Sequence, residues 1–476
     1  MIFREMGELE TAMEAAAVRR HGDVVEIGDG ESVREDLIDN LVWTAVFGEV
    51  DEVRNAARQG IHDIAWASGA IPSSIQPLYA AIGRKELDPD FTVPAFNLRT
   101  MVYETARAVF RAAIEHRVGA FIFEIARSEI GYTEQRPAEY SACILGAAVR
   151  EGWKGPVFIQ GDHFQASAKK WFGDSRDEEV DAIRGLIREA INAEFYNIDI
   201  DTSTLVQLEH DSVERQQKEN YEGTALFSRF IREIEPEDVV VSIGGEIGEV
   251  GAHNTSPEEF RAYIDGFRKT FGEGTGISKV SIQTGTSHGG VPLADGSVAE
   301  VSIDFDRIRE ISRIARDEYD ISGAVQHGAS TLPEDVFDEF PKADTVEIHL
   351  ATGFQNLVYD HDEFPSSLTT EINAWLAENA SNERKDGQTE EQFLYKARKR
   401  ALGSFKRAIW EMPSSSREAI TEDLESKFTL LFGKLGVGDT RELVERYVPT
   451  ITRKQPKREM SGSSDAMAFV VEGEGE

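Results

Sequence analysis

An eightfold alternation constrains the fold of this sequence more than any other feature. From Phe91 onward, short apolar runs rich in β-branched and aromatic residues alternate with longer stretches of helical period. The runs cover residues 91–97, 120–125, 156–161, 195–201, 239–246, 280–284, 323–327 and 345–350. Amphipathic stretches such as 101–115, 179–190 and 308–316 lie between most of them. Strands that alternate with helices predict a parallel sheet. Runs such as PVFIQ and VVVSI are apolar throughout, as strands buried on both faces must be. Eight such units over roughly 260 residues predict an α/β fold, a (β/α)8 TIM barrel over 91–355. A doubly wound sheet would need a G-x-G-x-x-G after its first strand. The nearest glycine cluster, GGEIGEVG at the fifth run, has the wrong spacing.

The flanks read differently. Residues 1–90 predict a helical N-terminal region, with apolar residues at three- and four-residue spacing over 37–46 and 50–57. Residues 356–451 predict a helical C-terminal region, carried by 371–378, 390–403 and 419–435. Within it, residues 396–400 form a short basic run that reads as a solvated helix face or an anion patch. The Ser-, Gly- and Glu-rich stretch 452–476 reads as a disordered acidic tail.

Charge excludes several function classes. The chain carries 51 basic and 86 acidic residues, a formal net charge of -35. That balance argues against a nucleic-acid surface and against a basic membrane-surface protein. Lysine is scarce, 16 against 35 arginines. Such a halophilic-type acidic surface stays soluble where salt screens its self-repulsion. With Cys143 as the sole cysteine, no internal disulfide can form, and a cytoplasmic location is expected. The charged N-terminus does not read as a signal peptide, and no apolar run approaches the length of a membrane span.

In a barrel, chemistry collects where the strands end. The third run ends in Asp162-His163, the fourth in Asp201-Thr202-Ser203 and the fifth in Glu246. The sixth ends in His288-Gly289-Gly290, the seventh in His327-Gly328-Ala329-Ser330 and the eighth in His349-Leu350-Ala351-Thr352. His163, His288 and His327 would converge on one mouth, and three imidazoles with an open position make a catalytic divalent-metal site. Glu246 and Asp201 would add carboxylates as further ligands or as partners that orient the imidazoles. Asp162 beside them could move a proton to or from a metal-bound oxygen. The small residues around Gly328, Ser330 and Thr352 leave backbone N–H groups free where barrels bind phosphate. Asn97 and Ser128, after the first two runs, could hydrogen-bond a substrate hydroxyl or phosphate.

These motifs, VPAFN, GDH, DIDTS, GEIGEVG, TSHGG, HGAS and HLAT, resemble in order and spacing the class II, metal-dependent aldolases of ketose bisphosphates. The long helical flanks are similar to the branch that includes the tagatose-bisphosphate aldolase helper subunit. The resemblance implies zinc or another divalent metal on His163, His288 and His327, with Glu246 as the extra carboxylate and a monovalent cation as a further ion. It implies that Asp162 protonates the aldehyde oxygen in condensation, and that Gly289, Gly328 and Ser330 cradle phosphate. Asn97, Ser128, His349 and Thr352 would line the substrate and phosphate pocket. The activity implied is reversible cleavage of a ketose bisphosphate, such as fructose 1,6-bisphosphate, through a zinc-stabilised enediolate of dihydroxyacetone phosphate. It belongs to carbohydrate metabolism of the glycolytic kind, in a homo-oligomer.

The sequence departs from the family in the loop after the fifth run. Gly251-Ala252-His253-Asn254 stands there in place of an acidic residue, leaving Glu249 or His253 as the carbon-proton base. It also has Val291-Pro292-Leu293-Ala294 where a phosphate lysine is common, His349 for the usual Asn, and Ala351 for a frequent Asp. Two alternatives stay open: a non-catalytic aldolase-like partner subunit, and a metal-dependent hydrolase on the same barrel.

Overall fold

A computed structural model describes residues 1–22, 24–248, 253–285 and 303–451. Eleven strands are described: β1 Val18–His21, β2 Val24–Ile27, β3 Ala70–Ser73, β4 Val93–Asn97, β5 Ile122–Ala126 and β6 Gly155–Gln165. They continue with β7 Asn197–Asp201, β8 Ser242–Glu246, β9 Lys279–Ser281, β10 Ala324–Gln326 and β11 Glu347–Leu350. Strands β4 to β11 pair in parallel with their sequence neighbours, β6 pairs with β7, and β11 pairs back onto β4. The sheet therefore closes into an eight-stranded parallel barrel with helices around it, as the alternation predicts.

Each of the eight expected runs overlaps one barrel strand. Flanking residues such as Phe91, Ala120 and Phe195 are buried outside the ladder, because barrel helices cover the approaches to the strands. Helix ends follow local chemistry. The helix Pro137–Glu151 starts with Pro at its first turn and stops at Gly152, whose φ is 73°. The helix Pro257–Phe271 opens with a capping box in which Ser256 and Glu259 satisfy each other's backbone N–H groups.

The N-terminal region adds strands to its helices. β1 and β2 form an antiparallel hairpin, and β3 pairs with the first half of β6 beside β7. After β3 the helix Gln76–Gly83 lies across the N-terminal face of the barrel. It is tied there by Asn197, whose Oδ1 accepts from Ile75 N at 2.9 Å, and by Tyr79, whose hydroxyl donates to Glu347 inside the barrel.

The C-terminal helices pack on the outside. Phe96 of β4 meets Phe354, Phe428 and Phe432 with ring centroids 5.7, 5.0 and 5.7 Å away. Phe428 and Phe432 sit on the helix Ser414–Lys434, which this aromatic cluster clamps to the barrel. Among the described residues no helix is long and apolar enough to cross a membrane.

Candidate active site and metal centre

The site begins with an irregularity in β6. Gly161 pairs with Ile198 and Phe164 with Ile200, so β6 carries one extra residue across that step. Gly161 is needed because a Cβ there would sit 2.4 Å from the Phe164 ring. His163 takes a φ of 38°, uncommon for a residue with a side chain. The bulge breaks the alternation of faces, and the buried side chains of both Asp162 and His163 reach one polar cluster.

That cluster gathers three of the expected residues. His163 Nε2 is 2.7 Å from His327 Nδ1, and ligating atoms of Asp162, His163 and His327 all lie within 4.8 Å of one another. On the other edge of the ring, Asp201 Oδ2 lies 3.1 Å and Glu246 Oε2 3.0 Å from His163 Nδ1. Asp201 is itself anchored by Ser203 N, Ser203 Oγ and Gln165 Nε2, so it fixes the tilt of the imidazole. His327 Nε2 is held 2.8 Å from Ser281 Oγ.

The electrostatics follow from burial. Burial pushes the Glu246 carboxyl up, Asp201 beside it adds to the effect, and its pKa reaches about 7 despite His163. Burial acts the same way on Asp162, but His163, His349 and His327 outweigh it and hold that group well below the usual carboxylate range. Burial would lower the pKa of His163; the carboxylates of Asp162, Glu246 and Asp201 raise it instead. Neither Asp162 oxygen has a well-formed hydrogen bond, and the nearest ring nitrogen of His349 lies 3.3 Å away. The facing imidazole nitrogens of His163 and His327, with Glu246 and Asp201 close by, are a donor set that fits a divalent cation, and Asp162 stands beside it.

Beneath this cluster lies a charged layer that the sequence reading missed. Lys279 of β9 places Nζ 3.0 Å from Asp199 Oδ2, 2.8 Å from Gln160 Oε1 and against Glu347. His349 of β11 bridges Glu347 Oε1 at 2.7 Å and Glu124 Oε2 at 3.1 Å, and stacks on His327 at 4.1 Å. Gly244 makes room for the layer, since a Cβ there would fall 2.2 Å from Asp199 Oδ1. Lys279, fully buried, has its pKa lowered by desolvation and raised more strongly by Asp199 and Glu347, so it stays an ammonium. The available signal was a charged residue at an inward position of an otherwise apolar strand: Glu124 in FIFEIA, Lys279 in SKVSI and Glu347 in VEIHL.

The class II fructose-bisphosphate aldolase family model matches residues 82–417. The chain belongs to that family. Solved structures align with it at low identity. A Sinorhizobium meliloti 1021 protein described as a probable tagatose 6 phosphate kinase aligns at TM-score 0.50 and 16% identity, over 75% of this chain and 93% of that one. The fructose-bisphosphate aldolase of Campylobacter jejuni aligns at TM-score 0.44 and 15% identity, over 76% and 94%. The YdjI aldolase of Escherichia coli K12 aligns at 0.40 and 15%, over 72% and 99%. A comparison with curated proteins finds no match.

The remaining aldolase-type positions divide as follows. His288, Gly289 and Glu249 lie outside the described residues, as does the stretch 452–476. Asn97 ends β4 and donates through Nδ2 to Glu129 Oε2 at 2.7 Å; Ser128 is half-buried in the short helix Arg127–Tyr132. Arg99, not foreseen, pairs with the other Glu129 oxygen at 2.7 Å and reaches Thr352 Oγ1 at 3.4 Å. Ser330 Oγ accepts from Gly353 N at 3.1 Å, and Gly328 has a φ of 66°, so the loops after β10 and β11 are joined. His253 is half exposed and pairs with the cap residue Glu259 at 3.1 Å.

Proposed function

We propose that this chain is a metal-dependent aldolase that cleaves and forms a ketose phosphate or bisphosphate of the fructose 1,6-bisphosphate type. The observation that carries this reading is the β6 bulge, which sets Asp162 beside His163 and His327 in one buried cluster. His163, His327 and the family-matched His288 would hold the ion, with Glu246 as an additional carboxylate. Zinc or another divalent metal, when bound, supplies an electrophile that draws electron density from the ketone oxygen.

The chain's own groups do the rest. In cleavage the C3–C4 bond breaks, and the C4 hydroxyl gives its proton to Asp162 as the aldehyde forms. As a carboxylate, Asp162 is the acceptor in this direction. In condensation the same carboxyl returns the proton. The electron pair left on the ketone fragment is quenched by a proton from the loop after β8, where Glu249 and His253 are the candidates. Asp201 keeps His163 oriented throughout. Ser330, Gly328, Gly289 and Thr352 would cradle a phosphate, with the Arg99 guanidinium beside Thr352. Asn97 and Ser128 would meet substrate hydroxyls. A Schiff-base route through Lys279 is disfavoured, because an ammonium held by two carboxylates is not a nucleophile.

We place this activity in a cytoplasmic homo-oligomer that acts on small sugar phosphates rather than on nucleic acid or membranes. The test is product analysis with fructose and tagatose 1,6-bisphosphates, by coupled detection of dihydroxyacetone phosphate. Turnover of either sugar supports the reading. No turnover by a folded, zinc-loaded protein shifts the assignment to the partner-subunit alternative.

A further inference from the structure

A cavity of about 400 Å³ lies at the end of the barrel opposite the histidine cluster. It is bounded by the helix Gln76–Gly83, by the C-terminal ends of the helices Pro257–Phe271 and Phe305–Tyr319, and by Ser278 and Ile321, which precede β9 and β10. The first of these helices comes from the N-terminal region. It packs so closely that a Cβ on Gly83 would meet the Asp320 carbonyl oxygen at 2.2 Å.

Four features of the lining point to one kind of ligand. Gln76 is buried, and its Oε1 has no hydrogen-bond partner. Buried amide oxygens rarely go unpaired, so the cavity wants an N–H donor. Phe267 and Phe271 line the wall and stack on each other, with centroids 5.2 Å apart and planes 11° from parallel. Arg268 brings a guanidinium that spends one nitrogen on the Tyr319 carbonyl and lies 5.0 Å over the Tyr319 ring. The loop Gly272-Glu273-Gly274-Thr275-Gly276 closes the cavity, with φ of 84° at Gly272 and 120° at Gly274. The backbone N–H groups from Glu273 to Ile277 donate to no protein acceptor. N–H groups without a protein acceptor are available to an anion.

We propose that this cavity binds a nucleoside monophosphate with an amino-bearing base. The exocyclic amine donates to Gln76 Oε1, the base stacks on the Phe267–Phe271 wall, and the phosphate meets Arg268 and the glycine loop. The volume lies within the range of roughly 300–1,000 Å³ typical of small-molecule sites. Arg84 is committed to Glu86, and Asp320 lies on the rim, so the phosphate end is set by Arg268 and the loop. The site does not depend on the aldolase reading and shares no residue with it.

The test is isothermal titration of the full chain with adenosine 5′-monophosphate, adenosine and ribose 5-phosphate. The nucleotide binds with one site per chain, and each fragment binds at least about tenfold more weakly. Gln76→Leu, which keeps side-chain bulk but removes the amide, weakens the nucleotide by about tenfold or more. Ala80→Phe, which fills the cavity from the same helix, abolishes binding. Thermal unfolding of both variants shows that they are folded, and if Ala80→Phe is not, Gln76→Leu decides. No binding at about 10 mM nucleotide overturns the proposal, as does binding that a folded Gln76→Leu leaves unchanged. Equal affinity for ribose 5-phosphate and the nucleotide also overturns it, because the base would then contribute nothing.

Discussion

Replacing Lys279 by Met tests whether the charged layer inside the barrel is held by its one lysine. The ammonium lies 3.0 Å from Asp199 Oδ2 and against Glu347, with all three groups buried. At an effective dielectric of about 20, one such pair is worth roughly 5 kcal/mol before desolvation. Removing one partner of a buried pair costs about 3–5 kcal/mol, because the remaining charge is stranded. Met fills a similar volume, so the cavity contribution is small.

The cost depends on pH in a defined direction. Burial already raises the Asp199 carboxyl to about 6, with Lys279 pulling the other way and Glu347 pushing it up. Without the ammonium, Asp199 and Glu347 both titrate higher in the folded chain, while their unfolded values stay near about 4. A carboxyl whose folded pKa is raised contributes stability below its unfolded pKa and loses it as pH rises through the folded pKa. The deficit of the variant is therefore smallest near pH 5 and largest near pH 8. Urea unfolding of wild type and Lys279→Met at both pH values reads it directly. A loss below about 1 kcal/mol, or an equal loss at the two pH values, refutes the reasoning.

Three further outcomes are expected. Asp162→Asn keeps the zinc content and lowers kcat for ketose-bisphosphate cleavage by about 10²–10⁴, as loss of a proton-transfer group should; metal analysis with steady-state kinetics checks both halves. Phe428→Ala empties the aromatic clamp on Phe96 and destabilises the chain by about 3–5 kcal/mol, read as a lower unfolding midpoint at unchanged metal content. With a net charge of -35, the unfolding midpoint rises from low to molar KCl; a midpoint that does not move would falsify the salt-adapted reading of the surface.

The barrel was legible because parallel strands buried on both faces must be apolar end to end. PVFIQ and VVVSI carry that mark without reference to anything distant. β3 was not legible: Ala70-Ile71-Pro72-Ser73 is four residues with a proline and reads as punctuation. The β1–β2 hairpin was also missed, because Val18-Arg19-Arg20-His21 buries only its first residue and shows no alternating apolar face. The convergence of His163 and His327 followed from both standing at strand ends. The turn of Asp162 to the side of His163 was also expected, because a strand's period of two relaxes at its end; what the sequence did not reveal is the bulge that brings it about. The Lys279 layer was hidden for a different reason. Its members come from strands up to 225 residues apart, between Glu124 and His349, and a charge in a buried strand gives no hint of its partner.

Metal dependence is the centre of the account, and it has a direct measurement. The purified chain is assayed for cleavage of fructose and tagatose 1,6-bisphosphates in high KCl, first zinc-loaded, then chelated, then with zinc restored. The account predicts cleavage that vanishes on chelation and returns with zinc, with the fold intact by circular dichroism throughout. Cleavage that persists unchanged in the chelated, metal-free protein would contradict it.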